Sequence, residues 1–319
     1  MRNWQPHVAA IVNPRSGGGK TGRAWRLIAH ALERDLGAIR THFTKSASTP
    51  HYLPAAELTR QALREGAQLI IAVGGDGTIN EVVNGFFEDG IAINPEAHLA
   101  LIHAGTGGDF RKTFNMGDDM ATCIKAIASG NTRQIDIGRL SFIAEDGRET
   151  MRHFANIASF GLSGAVDRAV NTMTWPKLFG GKFAFLWATF TTALRYKPKP
   201  VRITSDGGMD EVVNVGTAAI ANGRYFGGGM MMAPHAEPDD GKFDIVILRD
   251  TTLRDLMGGG GSLYEGTHIN HEKTMVHRAR TLTATPIDDE IVLLDIDGEA
   301  PGRLPARFDI LPGAITLRC

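Results

Sequence analysis

The chain has 319 residues, 43% of them hydrophobic and 22% charged, which excludes collagen-like and low-complexity disordered classes. Lys+Arg of 34 against Asp+Glu of 35 gives a formal charge of -1, so no general electrostatic footprint for nucleic acid is present. Two cysteines are too few for a disulfide scaffold or a four-thiolate zinc site. The opening, Met1 to Pro6, lacks the apolar core of a signal peptide. The most apolar stretch, Phe183 to Leu194, is too short to span a bilayer, so a cytoplasmic protein is expected. Glycine stands out: there are 38, and 16 of them gather in Gly17 to Gly19, Gly74 to Gly77, Gly105 to Gly108, Gly227 to Gly229 and Gly258 to Gly261. Clustering of this kind marks backbone that approaches something closely or takes positive φ.

Taken in order, Val8 to Val12 reads as a buried strand and Thr21 to Leu36 as an amphipathic helix. Ile39 to Phe43 is a strand, Tyr52 to Gly66 a helix, Leu69 to Val73 a strand and Ile79 to Phe87 a helix. His98 to Ile102 and Met120 to Ala128 add a fourth strand and another helix. Strand-helix alternation predicts a parallel sheet covered on both faces, with ligands beyond the carboxyl ends of its strands. From Gly138 onward the texture changes. Phe154 to Ala158, Val201 to Thr204, Val212 to Ala221, Phe243 to Leu248, Thr281 to Ala284 and Ile291 to Ile296 read as strands joined mostly by turns. Two helical stretches, Leu162 to Asn171 and Lys182 to Leu194, interrupt them. The expectation is an α/β domain over 1–137 and a mainly antiparallel β-sandwich over 138–305, with Phe308 to Leu317 assignable to either.

Three glycine clusters fall where strands end and helices begin. Asn13-Pro14-Arg15-Ser16-Gly17-Gly18-Gly19-Lys20-Thr21 ends like a Walker A loop. Pro14 stands where that pattern needs its first glycine, and it has no N–H to donate. Gly74-Gly75-Asp76-Gly77-Thr78-Ile79-Asn80 is more specific: its amides point at the ligand edge of the sheet, and Asp76 must act through Mg²⁺, a proton or a ribose hydroxyl. Gly105-Thr106-Gly107-Gly108-Asp109-Phe110 repeats the theme after the fourth strand.

Asn13-Pro14 with Ser16-Gly17, then Gly74 to Glu81 with Val82-Val83-Asn84-Gly85, resembles the diacylglycerol kinase catalytic family, which includes soluble bacterial lipid kinases and sphingosine and ceramide kinases. The third loop is similar to that family's Gly-Thr-x-Asn-Asp-Phe-Ala-Arg signature. It departs at Gly108, where Asn is usual, and at Arg111-Lys112, where Ala-Arg is usual. Ala221-Asn222-Gly223 through Gly229, Asp239-Asp240-Gly241-Lys242-Phe243-Asp244 and Asp297-Gly298-Glu299 also follow the family in order. The resemblance implies a nucleotide-binding α/β domain, a β-sandwich domain and an active site in the cleft. It also implies that the last strands, 306–319, return to the first domain.

Carried over residue by residue, the resemblance places ATP at Asn13, Pro14, Arg15, Ser16, Gly17, Thr44, Gly74, Gly75, Asp76, Gly77, Thr78, Ile79, Asn80 and Thr106. It places the catalytic carboxylate in Asp297-Gly298-Glu299, with Asp297 favoured as base toward the lipid hydroxyl and Glu299 beside it. Mg²⁺ falls to the Asp240 side chain with the carbonyls of Glu237 and Lys242, hard oxygen donors in a turn. The expected partner is a lipid substrate at a membrane surface, which the chain meets peripherally. Nucleic acid is not expected, and a homodimer is compatible with the sequence. Two other readings stay open: an NAD kinase-like small-molecule kinase, since such kinases share a Gly-Gly-Asp-Gly-Thr loop, and a non-catalytic module that binds ATP and Mg²⁺. Outside these motifs, Met230-Met231-Met232 reads as packing and Phe179 to Trp187 as an ordinary amphipathic helix. The histidines show no metal spacing.

Overall fold

The computed structural model describes residues 7–45, 53–105, 107–117, 119–172, 192, 196–250 and 261–319. Thr106, the segment Phe179 to Trp187, most of the predicted helix Lys182 to Leu194 and Gly258 to Gly260 lie outside the described residues. The chain divides into two units: Met1–Ile137 with Pro238–Asp240 and Leu311–Cys319, and Gly138–Glu237 with Gly241–Ile310.

The first unit is built on apolar runs that are buried on both faces of a parallel sheet. Its elements are β1 (Val8–Val12), α1 (Ser16–Leu36), β2 (Ile39–Phe43), α2 (Pro54–Arg64), β3 (Leu69–Gly74) and α3 (Asp76–Gly85). A two-stranded hairpin, β4 (Phe87–Glu88) and β5 (Ile91–Ala92), precedes β6 (His98–His103), α4 (Asp109–Thr113) and α5 (Met120–Ser129). β1 lies between β2 and β3, and β6 pairs with β3, all parallel and in register. Alternate residues divide the two faces. Ala10, Val12, Ile71, Val73 and Ile102 pack with Trp25, Ile28 and Leu32 of α1 and with Ile124 and Ile127 of α5. Their neighbours Ile11, Ile70 and Leu101 are buried toward the other face, where α2 and α3 contact each other and the sheet. A parallel sheet aims all its strand ends one way, so the loops after β1, β3 and β6 open on one edge.

The second unit is a mainly antiparallel sandwich of β7 (Thr132–Ala144), which begins in the first unit, β8 (Glu149–Phe154), β9 (Ile157–Gly161), β10 (Lys199–Ser205), β11 (Asp210–Ala221), β12 (Phe243–Arg249), β13 (Thr274–Ala279), β14 (Thr281–Pro286) and β15 (Leu294–Ile296). One helix, α6 (Leu162–Thr172), follows β9. Leu140, Phe154, Phe160, Ile245, Leu294 and Phe308 share its core, with Phe154 stacked on Phe243 at 5.6 Å. The residues of β11 up to Val215 pair with β10, and after a register shift those from Thr217 pair with β9. This switch brings β9 beside β15. The predicted strand Phe154 to Ala158 is two strands, β8 and β9, separated by a turn at Ala155 and Asn156, and Ile291 to Ile296 is extended only from Leu294. The last strand, β16 (Gly302–Arg318), pairs with β14 through Ala306 to Asp309, and its end, Thr316 to Arg318, pairs in parallel with β6.

Candidate active site

Pro14 supports the turn that follows it. Gly17, Gly18 and Gly19 take φ of 59°, 67° and 81°, a left-handed turn that L side chains resist. The chain then winds right-handed from Lys20, and Gly22 packs on Pro14, where an added Cβ would meet the Pro14 carbonyl oxygen at 2.9 Å. Asn13 ties this loop to its neighbours. Its N–H donates to Val73 O (2.9 Å), its Nδ2 donates to Thr78 Oγ1 (3.1 Å), and its Oδ1 accepts from Arg15 N (3.0 Å). Thr44 N donates to Val12 O (2.9 Å), which sets Thr44 beside Asn13 at the end of β2.

The second and third loops interlock through backbone. Ala104 N donates to Gly74 O (2.7 Å), and a Cβ on Gly105 would stand 2.8 Å from the Cα of Gly75. Asp76 Oδ2 accepts from Gly108 N (2.8 Å), and Gly107 has no room for a Cβ against the same carboxylate. Of the other predicted nucleotide residues, Gly77 lies in the first turn of α3. Thr78, Ile79 and Asn80 are buried, and Asn80 Oδ1 accepts from Asn84 Nδ2 (3.2 Å). The carboxylate of Asp109 is buried and paired with Lys112 at 2.8 Å.

In the second unit, Asp297-Gly298 forms a hairpin turn with φ of 49° and 90°. Ile296 and Glu299 exchange backbone hydrogen bonds across it (2.8 and 3.0 Å), as a two-residue turn with positive φ at both central positions requires. Asp297 is committed to this turn: its Oδ1 accepts from Ile157 N (2.9 Å), while its own N–H donates to Ile157 O (3.1 Å). Glu299 is differently placed. Its side chain keeps 40% of its surface exposed, and Arg152 Nη1 lies 3.9 Å from Oε2. Desolvation pushes its carboxyl above the usual range; Arg152 opposes that and Asp295 adds to it. Asp295, buried below the turn, accepts from Gly298 N (2.8 Å) and from Ser159 Oγ (2.9 Å). Asp295, Arg152 and Ser159 are supporting residues that the motif did not reveal, although Asp295 continues the every-second-residue acidic spacing of Asp297 and Glu299.

Two model descriptions match the chain: "Diacylglycerol kinase catalytic domain" over residues 7–140, and "YegS C-terminal NAD kinase beta sandwich-like domain" over 156–319. The chain belongs to the diacylglycerol kinase catalytic-domain family. Within this kinase family it is 25% identical to a diacylglycerol kinase of Mycobacterium tuberculosis over 310 residues, 97% of this chain and 93% of that one. It is 29% identical to a diacylglycerol kinase of Staphylococcus carnosus over 252 residues, 78% of this chain and 76% of that one. A solved structure from Bacillus anthracis str. Sterne shares the fold with a TM-score of 0.76 at 23% identity, covering 100% of this chain and 97% of its own. A second, described as a diacylglycerol kinase, gives 0.68 at 22% identity, covering 98% and 96%.

The third segment of interest in the family pattern is 237–242. Pro238–Asp240 belong to the first unit, where Pro238 O accepts from Asp136 N (2.7 Å) and Asp239 pairs with Arg133 (2.7 Å). That hydrogen bond from Arg133 holds the Asp239 carboxyl below its ordinary range. Glu237 and Lys242 are exposed residues of the second unit. Among the described residues no three His, Cys, Asp or Glu side chains converge as a metal cluster, so a cation at this turn depends on the Asp240 carboxylate and backbone carbonyls. Met232 is fully buried in a cluster with Ile157 and Val246, a packing position. No helix among the described residues is long and apolar enough to cross a membrane.

Proposed function

We propose that this chain is an ATP-dependent lipid kinase that transfers the γ-phosphoryl group to a hydroxyl of diacylglycerol or a related lipid. The observation that carries the reading is the cross-linking of three glycine loops at adjacent ends of one parallel sheet, by Asn13 to Thr78 and Gly108 to Asp76. Loops so stripped of side chains suit phosphate, because amides rather than bulk meet the anion. Thr44 and Thr106 complete the nucleotide set.

Glu299 is the base in this proposal, and Asp297 shapes the turn that presents it. A lipid hydroxyl must lose its proton as it meets the γ-phosphate, and a reachable carboxylate with a raised pKa accepts it better than one already bonded to a backbone amide. Mg²⁺ would rest on Asp240 with the carbonyls of Glu237 and Lys242, and an ion arriving with ATP would supply screening of the phosphate charge. The lipid is met at a membrane surface by a cytoplasmic, peripherally bound protein.

The test is phosphoryl transfer from Mg-ATP in mixed micelles over a panel of lipids, with NAD as comparison substrate. Transfer to a lipid hydroxyl is expected. Transfer to NAD alone overturns the substrate class, and ATP binding without transfer to any hydroxyl overturns the enzyme.

A further inference from the structure

His103 ends β6 and stands between the second and third glycine loops, with only 8% of its side chain exposed. Gly105 N–H donates to its Nε2 (3.2 Å), so Nε2 is the acceptor and the neutral ring carries its proton on Nδ1. That Nδ1 lies 3.9 Å from Asp76 Oδ1. Both atoms are buried and neither has a hydrogen-bond partner. The other oxygen of Asp76 is already held by Gly108 N. A buried donor and a buried carboxylate oxygen left open toward each other are destabilising, and a closure of about 1 Å would join them.

Room for the ring comes from the departure at position 108. A Cβ there would lie 3.1 Å from His103 Nε2 and 2.7 Å from Arg111 Nε, and Arg111 in turn donates from Nη1 to Met116 O (3.2 Å). Gly108, Arg111 and His103 thus fit as a set that the family's usual Asn would disrupt. Desolvation pushes the pKa of His103 down, with the Arg111 guanidinium acting in the same direction and the Asp76 and Asp109 carboxylates opposing.

We propose that His103 is a positioning residue whose ring bridges the two loops and whose Nδ1–H holds Asp76 in place for a bound nucleotide. The inference rests on the reading that these loops bind ATP. The experiment measures Mg-ATP affinity by calorimetry in the full chain, with KM and kcat of transfer beside it, for the wild type, His103→Ala and His103→Asn. The Asn amide nitrogen takes the place of Nδ1 as donor, while its shorter side chain does not bring an acceptor to the Nε2 position that Gly105 N–H meets.

His103→Ala is expected to weaken Mg-ATP binding about tenfold, raising KM for ATP more than it lowers kcat. His103→Asn should recover most of that affinity. Equal weakening by Ala and Asn, or no weakening by Ala, overturns the proposal in favour of packing. Should the variants not fold, ring ¹⁵N spectra of the wild type decide: an Nδ1–H tautomer whose proton moves downfield with a non-hydrolysable ATP analogue supports it, and an Nε2–H tautomer overturns it. ATP binding without lipid transfer would remove the lipid-kinase reading and leave the His103 comparison standing. A wild type that binds no ATP removes both.

Discussion

The glycine loops of the first unit and the Asp295 to Glu299 turn of the second are built in opposite ways. The loops work by absence: Gly17 to Gly19 hold φ values that side chains resist, and Gly75 and Gly105 meet backbone to backbone. The turn works by division of labour among carboxylates. Asp297 is bonded to Ile157 and Asp295 to Ser159 and Gly298, while Glu299 keeps part of its side chain exposed and has a raised pKa. A substitution in the loops should therefore act through shape and fall on nucleotide binding. One in the turn should act through charge and fall on proton transfer.

Glu299→Gln is the largest expected break in that contrast. It keeps shape and removes the proposed base, so transfer should fall by about 10²–10⁴ while Mg-ATP affinity stays near wild type. Asp297→Asn should be far milder. Asn tolerates the left-handed region and still accepts from Ile157 N, so activity should stay within about tenfold. Steady-state kinetics of the two variants side by side decide the base, and the reverse order of damage would return that role to Asp297.

Next comes Gly105→Ala. The added methyl would meet the Cα of Gly75 at 2.8 Å, and backbone cannot swing aside as a side chain can. Mg-ATP affinity should fall by tenfold or more, and kcat at saturating ATP should change less. Gly18→Ala is a cleaner but smaller probe, because nothing lies within 4 Å of its built Cβ. Only the left-handed backbone opposes it, by about 1–2 kcal/mol, which chemical denaturation can measure.

How far the sequence foretold these regions follows from the same contrast. In the first unit, strands buried on both faces read as unbroken apolar runs, so Val8 to Val12 and Leu69 to Val73 agree with β1 and β3. The sandwich was harder to read. Phe154 and Ile157 to Phe160 are buried on either side of a turn whose Ala155 and Asn156 are buried too, which hides the break between β8 and β9. β13 has one exposed face and mixed polarity in Thr274–Ala279, and it carries no strong period. At the candidate site, glycine clusters and Asp-Gly-Glu are local features that the sequence displays directly. Arg152 beside Glu299, and His103 beside Asp76, are products of tertiary pairing that no spacing announces.

Acid should act on two of the desolvated histidines, His103 and His268, in the same sense although they belong to different units. Desolvation lowers the pKa of His103, and likewise that of His268, which is bonded near Met232 O. The unfolded chain then binds protons first as pH drops below about 6.5. Their contribution to stability is present above that pH and is lost as pH falls toward the folded-state values. Melts between pH 8 and pH 5 should show a declining Tm, and His268→Gln should flatten part of the decline without touching ATP affinity.

The smallest effect is the most pointed, because Glu299 carries the opposite sign. Its folded-state pKa is raised, so the favourable contribution exists below about pH 4.5 and disappears as pH rises through the folded value. At neutral pH its charge is a burden on the fold. Glu299→Gln should therefore be slightly more stable than wild type at pH 7, by less than about 1 kcal/mol because solvent screens a side chain that remains 40% exposed, and no more stable near pH 4. Paired denaturation curves at the two pH values test this. A residue held only for structure would lose stability on substitution at both; a gain confined to neutral pH, joined to lost transfer, marks a carboxylate kept where it strains the fold because proton transfer needs it there.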